Sequence, residues 1–259
     1  MESLLRSRMV LIKINNFIGI LVVNLLESIR IISKDVPLGR FYIDNFYEYL
    51  RKIVWTCLPI ATLTVSASSI VYSIHVAPEF SSHGLNSYLG GIIALSLIRE
   101  GVPVMASLAL ITQYCTGLTA QIGSMKISEQ IDAMKVANVR PTAYLLVPML
   151  LSGLIGFPVM IVICIFVGIL VNFLFSNLLI NITLHLYISS ISNAIVLKDV
   201  FLALVKGGVF GFFVSLVSYT CGMLTTGGSK GVGSSTRLSV VVNFALIIIL
   251  DDIITALWL

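Results

Sequence analysis

YLLVPMLLSGLIGFPVMIVICIFVGILVNFLF, residues 144–175, carries no charged side chain over its whole length. A helix rises about 1.5 Å per residue, so this run outreaches the roughly 30 Å hydrocarbon core of a bilayer. A helix on the surface of a soluble domain would alternate an apolar stripe with a polar one, and this stretch has no polar stripe. Four further apolar runs share its character: Ile53 to Ala77, about Pro103 to Ile122, about Gly207 to Leu224, and about Leu238 to Leu257. The bulk composition agrees. Only 11% of the 259 residues are charged, against about 25% in soluble domains, and 58% are hydrophobic. Mean hydropathy is +1.03. The expected fold is an all-α integral membrane protein with five transmembrane helices.

Lysine and arginine placement orients the spans. With a cytoplasmic N-terminus, Arg6, Arg8, Lys13, Arg30, Lys34, Arg40, Arg51 and Lys52 precede the first span inside. Lys126, Lys135 and Arg140 then fall in the inner loop after the second span, and Lys230 and Arg237 in the one after the fourth. Only Arg99, Lys198 and Lys206 are left for the far side or the membrane. Residues 1–52 read as N-terminal cytoplasmic and interfacial helices, and 53–259 as one five-span domain. Val10 to Leu50 mixes apolar residues with Glu27, Arg30, Lys34, Asp35 and the aromatics Phe41, Tyr42, Phe46, Tyr47 and Tyr49, a blend suited to the headgroup layer. The alternative is that Met9 to Ile32 partly re-enters the bilayer. No small-residue cleavage site follows Phe17 to Leu26, so a cleaved signal is not expected. On the outer side, Ser87 to Ile98 reads as a short helix returning into the membrane, and Ser176 to Lys198 as the largest loop. Asn181-Ile182-Thr183 fits the glycosylation pattern, a weak match.

No catalytic or metal constellation emerges. His75, His83 and His185 are scattered, and Cys57, Cys115, Cys164 and Cys221 lie far apart in apolar segments as small buried hydrophobes. The glycine-rich stretch Gly227 to Ser235 lacks a phosphate-loop lysine, because Ser234 stands at that position. The chain is therefore read as a non-enzyme that binds no ATP and no nucleic acid.

Ionisable groups at membrane depth cost roughly 3 kcal/mol or more, which makes them functional candidates. Arg99-Glu100 reads either as an interfacial pair at the outer mouth of the second span, its charges offsetting one another before a break at Pro103, or as the polar rim of a cavity. Asp251 lies roughly 20 Å into the last span, beside Asp252. Such carboxylates would serve an ion-coupled secondary transporter, although no other span shows an acidic residue at the same depth. The loop GSMKISEQIDAMKVANVRP, residues 123–141, places Ile127, Ile131 and Met134 on one helical face, among Lys126, Glu129, Asp132 and Lys135. Ser124 or Ser128 is positioned to cap it. It is either an amphipathic helix that docks in a partner's groove or an ordinary surface helix.

ALSLIREGVPV (94–104), QIGSMKISEQIDAM (121–134), YLLVP (144–148) and TTGGSKGVGSSTRLSVV (225–241) followed by LDDIITALWL resemble the MlaE/YrbE-like permeases over about residues 40–259. These are permease subunits of ABC-type systems that move phospholipid between Gram-negative membranes, with plastid lipid-permease relatives. The resemblance implies a homodimer coupled to a separate ATP-binding subunit that holds the ATP and magnesium, leaving no cofactor in this chain. It further implies an MCE-domain substrate-binding protein outside, a STAS-domain protein on the ATPase, and residence in the bacterial inner membrane rather than the plastid inner envelope. It assigns 125–136 to the coupling helix, with Met125, Lys126, Ile127, Glu129, Gln130, Ile131, Asp132 and Met134 as contacts. Arg99 and Glu100 become lipid-binding candidates. The chain departs from the family at Gly101-Val102, where the family has Arg-Glu-x-Gly-Pro, and at Gln113 and Gln121, where many members carry arginine and glutamate. The two glutamines are expected to replace an ion pair by an amide hydrogen bond. Asp251 matches a family aspartate, pointing to a structural role, whereas Asp252 replaces an apolar residue.

Overall fold

The computed structural model describes residues 2–34 and 42–258, with side chains from Phe17 onward. Asp35, Arg40 and Phe41, read above as interfacial or inner-face residues, lie outside the described residues. The described chain is helical throughout: α1 (Glu2–Lys34), α2 (Ile43–Arg51), α3 (Cys57–Ser82), α4 (Asn86–Ser96), α5 (Val102–Leu110), α6 (Thr116–Ile127), α7 (Gln130–Val136), α8 (Val147–Ile180), α9 (Leu184–Ala194), α10 (Leu197–Met223) and α11 (Gly228–Trp258). Wide π turns at Lys52–Thr56, Leu97–Gly101, Ile111–Cys115 and Thr142–Leu146 join several of these into longer runs. Five runs are long and apolar enough to cross a membrane: Ile43–Ser82, Asn86–Ile127, Thr142–Ile180, Leu197–Met223 and Gly228–Trp258. The chain is an all-α integral membrane protein, as its composition requires.

The spans differ from expectation at their ends. The stretch from Ser87 to Ile98 is not a separate returning helix; it is the first part of the second run. The reason lies in the π turn at Leu97–Gly101, where Val102 N–H bonds back to the Leu97 carbonyl. That extra residue lets Pro103 fall in the opening turn of α5, where its missing N–H costs nothing. The expected break at Pro103 is therefore absent. Between Ser176 and Lys198 the chain is not a loop but a continuation of α8, a turn at Asn181 (φ 52°), and the helix α9. Ile182 is buried there, with Asn177 Nδ2 donating to its carbonyl at 2.7 Å.

The chain divides into two compact units. The first gathers Met1–Tyr49, Cys115–Ser152 and Phe212–Asn243. Its core holds Ile31, Leu118, Ile122, Ile131, Leu146, Leu150, Leu216 and Val217. Polar pins cross it. Asn24 Nδ2 donates to Thr220 Oγ1 at 3.1 Å, and Thr142 Oγ1 donates to Glu27 at 3.1 Å. Thr119, Ser218, Ser239 and Asn243 form a buried cluster with Cys115, in which Thr119 Oγ1 lies 2.9 Å from Ser239 Oγ. On α1, Ser28 and Ile31 are buried while Val22, Val23, Leu26 and Ile29 face outward. Apolar residues on an outward face suit contact with lipid.

The second unit gathers Leu50–Tyr114, Gly153–Gly211 and Phe244–Leu259. Within it α4 packs on α9 and α3 packs on α5. The α4–α9 approach is close because Gly91 has no side chain: a Cβ there would sit 2.6 Å from the Ser190 carbonyl oxygen and from Ala194 Cβ. Gly91 N–H instead donates to Ser190 Oγ at 2.8 Å. Buried Asn172 ties three helices together. Its Nδ2 donates to Ser73 Oγ at 2.8 Å, and its Oδ1 accepts from Tyr187 Oη at 2.7 Å. The outer surface of this unit is apolar, with Trp55, Leu63 and Phe166 each more than two-thirds exposed. Lipid tails cover such side chains without cost.

Candidate functional site

Within the apolar second unit, six polar side chains from three elements converge. Arg99 and Glu100 come from the π turn at Leu97–Gly101, Asp199 and Lys206 from α10, and Asp251 and Thr255 from α11. Lys206 is the centre. Its side chain is 0% exposed, and its ammonium donates to Glu100 Oε2 at 2.8 Å and to the Arg99 carbonyl at 2.8 Å. It also lies 2.7 Å from Asp251 Oδ1, an ion pair whose approach is off the hydrogen-bonding direction. Thr255 Oγ1 donates to the other Glu100 oxygen at 2.9 Å, and the Glu100 and Asp251 carboxyls touch. Arg99 turns away from Glu100. Its Nε meets Asp199 at 2.7 Å, and the second Asp199 oxygen accepts the Val196 N–H at 3.0 Å.

This corrects the view that Arg99 and Glu100 offset one another. Neighbouring residues on a helix project about 100° apart, so each finds a partner more than ninety residues away. It also corrects the view that no other span carries an acidic group at the depth of Asp251, since Glu100 meets it directly. A buried lysine needs such partners, because removing one leaves an uncompensated charge in an apolar medium. Three carboxylates share two cations, leaving an excess negative charge when all are ionised. The network is not sealed: the Arg99 and Glu100 side chains remain 44% and 45% exposed. One guanidinium and one carboxylate thus stand side by side at the surface of the unit, with their bases fixed from within. Lys206 and Asp199 had no assigned role in the sequence reading, because no periodicity links residues so far apart. Asp252 faces outward, apart from the cluster.

In the first unit, the segment 125–136 is not one helix. α6 ends at Ile127, Glu129 adopts a left-handed conformation (φ 59°), and α7 starts afresh at Gln130. The left-handed residue resets the helical phase, so Ile127, Ile131 and Met134 do not share a face. Ile131 is fully buried, Met134 is half-buried and Ile127 is exposed. The most exposed apolar side chain of the segment is Val136, at 90%, which the sequence pattern passed over. Ser128 does not cap α7; its hydroxyl donates back to the Ser124 carbonyl at 2.9 Å, closing α6. Asp132 bridges Lys126 at 3.1 Å and Lys135 at 3.0 Å, and Lys135, then Lys126, hold its carboxyl below the ordinary carboxylate value. Met125 is half-buried, and Glu129 and Gln130 are exposed at the corner. Of the two glutamines, Gln113 is exposed in the π turn Ile111–Cys115 and Gln121 is half-buried on α6.

Comparison with known proteins follows the same outline. The profile of the family described as Permease MlaE matches residues 46–257. A probable ABC transporter permease protein of Synechocystis is 33% identical over 211 residues, covering 82% of this chain and 80% of the relative. The chloroplastic protein TRIGALACTOSYLDIACYLGLYCEROL 1 of Arabidopsis thaliana is 30% identical over 233 residues, 88% of this chain and 67% of the relative. A probable ABC transporter permease protein of Rickettsia typhi is 28% identical over 254 residues, 95% and 98% of the two chains. The charged cluster at residues 99–100, 206 and 251 and nearly all of the five apolar runs lie inside the matched range, and the chain belongs to the MlaE permease family.

Proposed function

We propose that this chain is the permease subunit of an ABC-type transporter that moves phospholipid or a related lipid. It works as a homodimer with a separate ATP-binding subunit and has no catalytic activity of its own. The observation that carries the reading is the half-exposed Arg99–Glu100 pair set on the buried Lys206 network within an apolar unit. A phospholipid headgroup joins a phosphate to a polar or cationic group, and its tails require an apolar wall. The Arg99 guanidinium has N–H donors beyond the one given to Asp199 and is suited to phosphate, while Glu100 accepts from an ammonium or hydroxyl. Lys206, Asp251 and Thr255 are positioning residues that hold Glu100. Relatives named as ABC transporter permeases support ATP coupling, and the plant relative, named after a glycosylated diacylglycerol, supports a lipid cargo.

The corner formed by the end of α6 and by α7 is the contact for the ATP-binding subunit, with Val136, Ile127, Gln130 and Glu129 presented outward. An MCE-domain protein on the outer side and a STAS-domain protein on the ATPase complete the assembly. The chain sits in a bacterial inner membrane with its N-terminus in the cytoplasm, an orientation supported by the lysine and arginine asymmetry.

Native mass spectrometry of the purified protein tests the cargo assignment. Wild type retains phospholipid, and Arg99→Ala with Glu100→Gln, compared at a temperature below its own lowered thermal transition, retains at least ten-fold less. Equal lipid retention in the double variant would reject the headgroup assignment. The excess carboxylate at Glu100 and Asp251 favours one alternative, an ion-coupled carrier. Reconstituted transport that needs a proton or sodium gradient, and ignores ATP, would select it.

A further inference from the structure

A surface groove whose lining does not include Arg99 or Glu100 remains without a role. Leu197, Lys198, Val200, Phe201 and Leu204 of α10 and Trp258 of α11 line an open groove of about 630 Å³. That volume falls in the range of small-molecule sites, and the wall is almost wholly apolar. Lys198 is the charged residue at its rim, and it is exposed. The adjacent acid does not cancel it, because Asp199 is turned inward onto Arg99 and the Val196 N–H. Depth follows from length. The α10 run of 27 residues measures about 40 Å, the full thickness of a bilayer with its headgroups, so its first turn sits at headgroup level. Trp258 closes the last run and lies 5.9 Å, centroid to centroid, from Phe201, an aromatic pair of the kind that marks the membrane interface.

We propose that this groove binds an anionic phospholipid of the surrounding bilayer, with an acyl chain along Leu197, Phe201 and Leu204 and the phosphate at Lys198. An apolar groove open to lipid is filled by a chain whatever the headgroup; the lysine selects for negative charge. One lysine near a membrane surface corresponds to about a five-fold preference for an anionic over a zwitterionic lipid.

The chain has two tryptophans, and Trp55 is 73% exposed, so Trp55→Phe leaves Trp258 as a local reporter. This variant is placed in nanodiscs, and its fluorescence is quenched with increasing mole fractions of brominated phosphatidylglycerol or brominated phosphatidylcholine. Half-maximal quenching is expected at about five-fold less phosphatidylglycerol than phosphatidylcholine. Lys198→Gln brings the two curves together, and Lys198→Arg keeps them apart. Coincident curves before any change at Lys198 would reduce the groove to ordinary lipid contact and overturn the proposal. Absence of quenching by either lipid would mean that a second copy or another protein covers Trp258, which also overturns it. Glu100→Gln is expected to leave the preference intact; its loss there would assign the groove to the carried lipid instead.

Discussion

Lys206 shows how a charge is tolerated at membrane depth. Its ammonium reaches two carboxylates and a backbone carbonyl within 2.8 Å, so nearly all of its lost hydration is replaced. Lys206→Met leaves Glu100 and Asp251 facing each other without a cation, and is expected to destabilise the protein by about 3–5 kcal/mol. Adding Asp251→Leu to that variant restores at least half of the loss, as read by thermal unfolding in detergent. A double variant no better than the single one would show that the carboxylate contact is not the source of the cost. Asp132 gives the opposite case, a surface acid between two lysines. Because its folded value is lowered, its ion pairs contribute above the ordinary carboxylate value of about 3.9 and are lost as the pH falls through the folded value. A carbon-detected titration is expected to place its midpoint below 3.9, and Lys135→Ala to move it upward. An unshifted midpoint would remove the ion pairs from the account. The Arg99–Glu100 pair was visible in the sequence as a charged dipeptide between apolar runs. Its partners were not, since Asp199 and Lys206 stand about 100 residues on and looked like leftover charges.

At the scale of elements, the apolar runs were legible because bilayer thickness imposes a length that a sequence cannot disguise. The joints were not. A π turn adds one residue to a helix without any fixed sequence mark, so Pro103 reads as a break where the helix continues. Glu129 in a left-handed conformation is equally silent, because glycine or asparagine is the usual occupant. Its effect was to turn Ile131 into a core residue. Ile131→Asp is therefore expected to cost stability, whereas Val136→Asp with Ile127→Asp leaves the thermal transition within a few degrees and weakens capture of the ATP-binding subunit at least ten-fold. Unchanged capture would move the contact elsewhere. Gly91 at the α4–α9 contact and Gly117 on α6 offer a contrast. Gly91→Ala forces Ser190 aside and is expected to cost about 1–3 kcal/mol, while Gly117→Ala meets nothing within 4 Å and is expected to be neutral or stabilising.

At the scale of the molecule, composition alone places the chain in a membrane, and the uneven spread of lysine and arginine between its five runs supports the proposed orientation. Neither property says what crosses. The proposed lipid cargo rests on one local feature: an apolar unit that keeps a guanidinium and a carboxylate half exposed while burying the lysine beside them. A purely structural ion network would close over its charges, since each exposed head at membrane depth costs energy that burial with a partner would recover. The measurement that bears most directly on this account is affinity purification of the tagged full chain from its own cells in mild detergent, with proteins and lipids identified together by mass spectrometry. The account predicts an ATP-binding subunit in equal proportion to the chain, an MCE-domain protein, and phospholipid that survives washing. A folded chain recovered with neither an ATPase nor lipid would contradict it, and would turn attention to Glu100 and Asp251 as the groups of an ion-driven carrier.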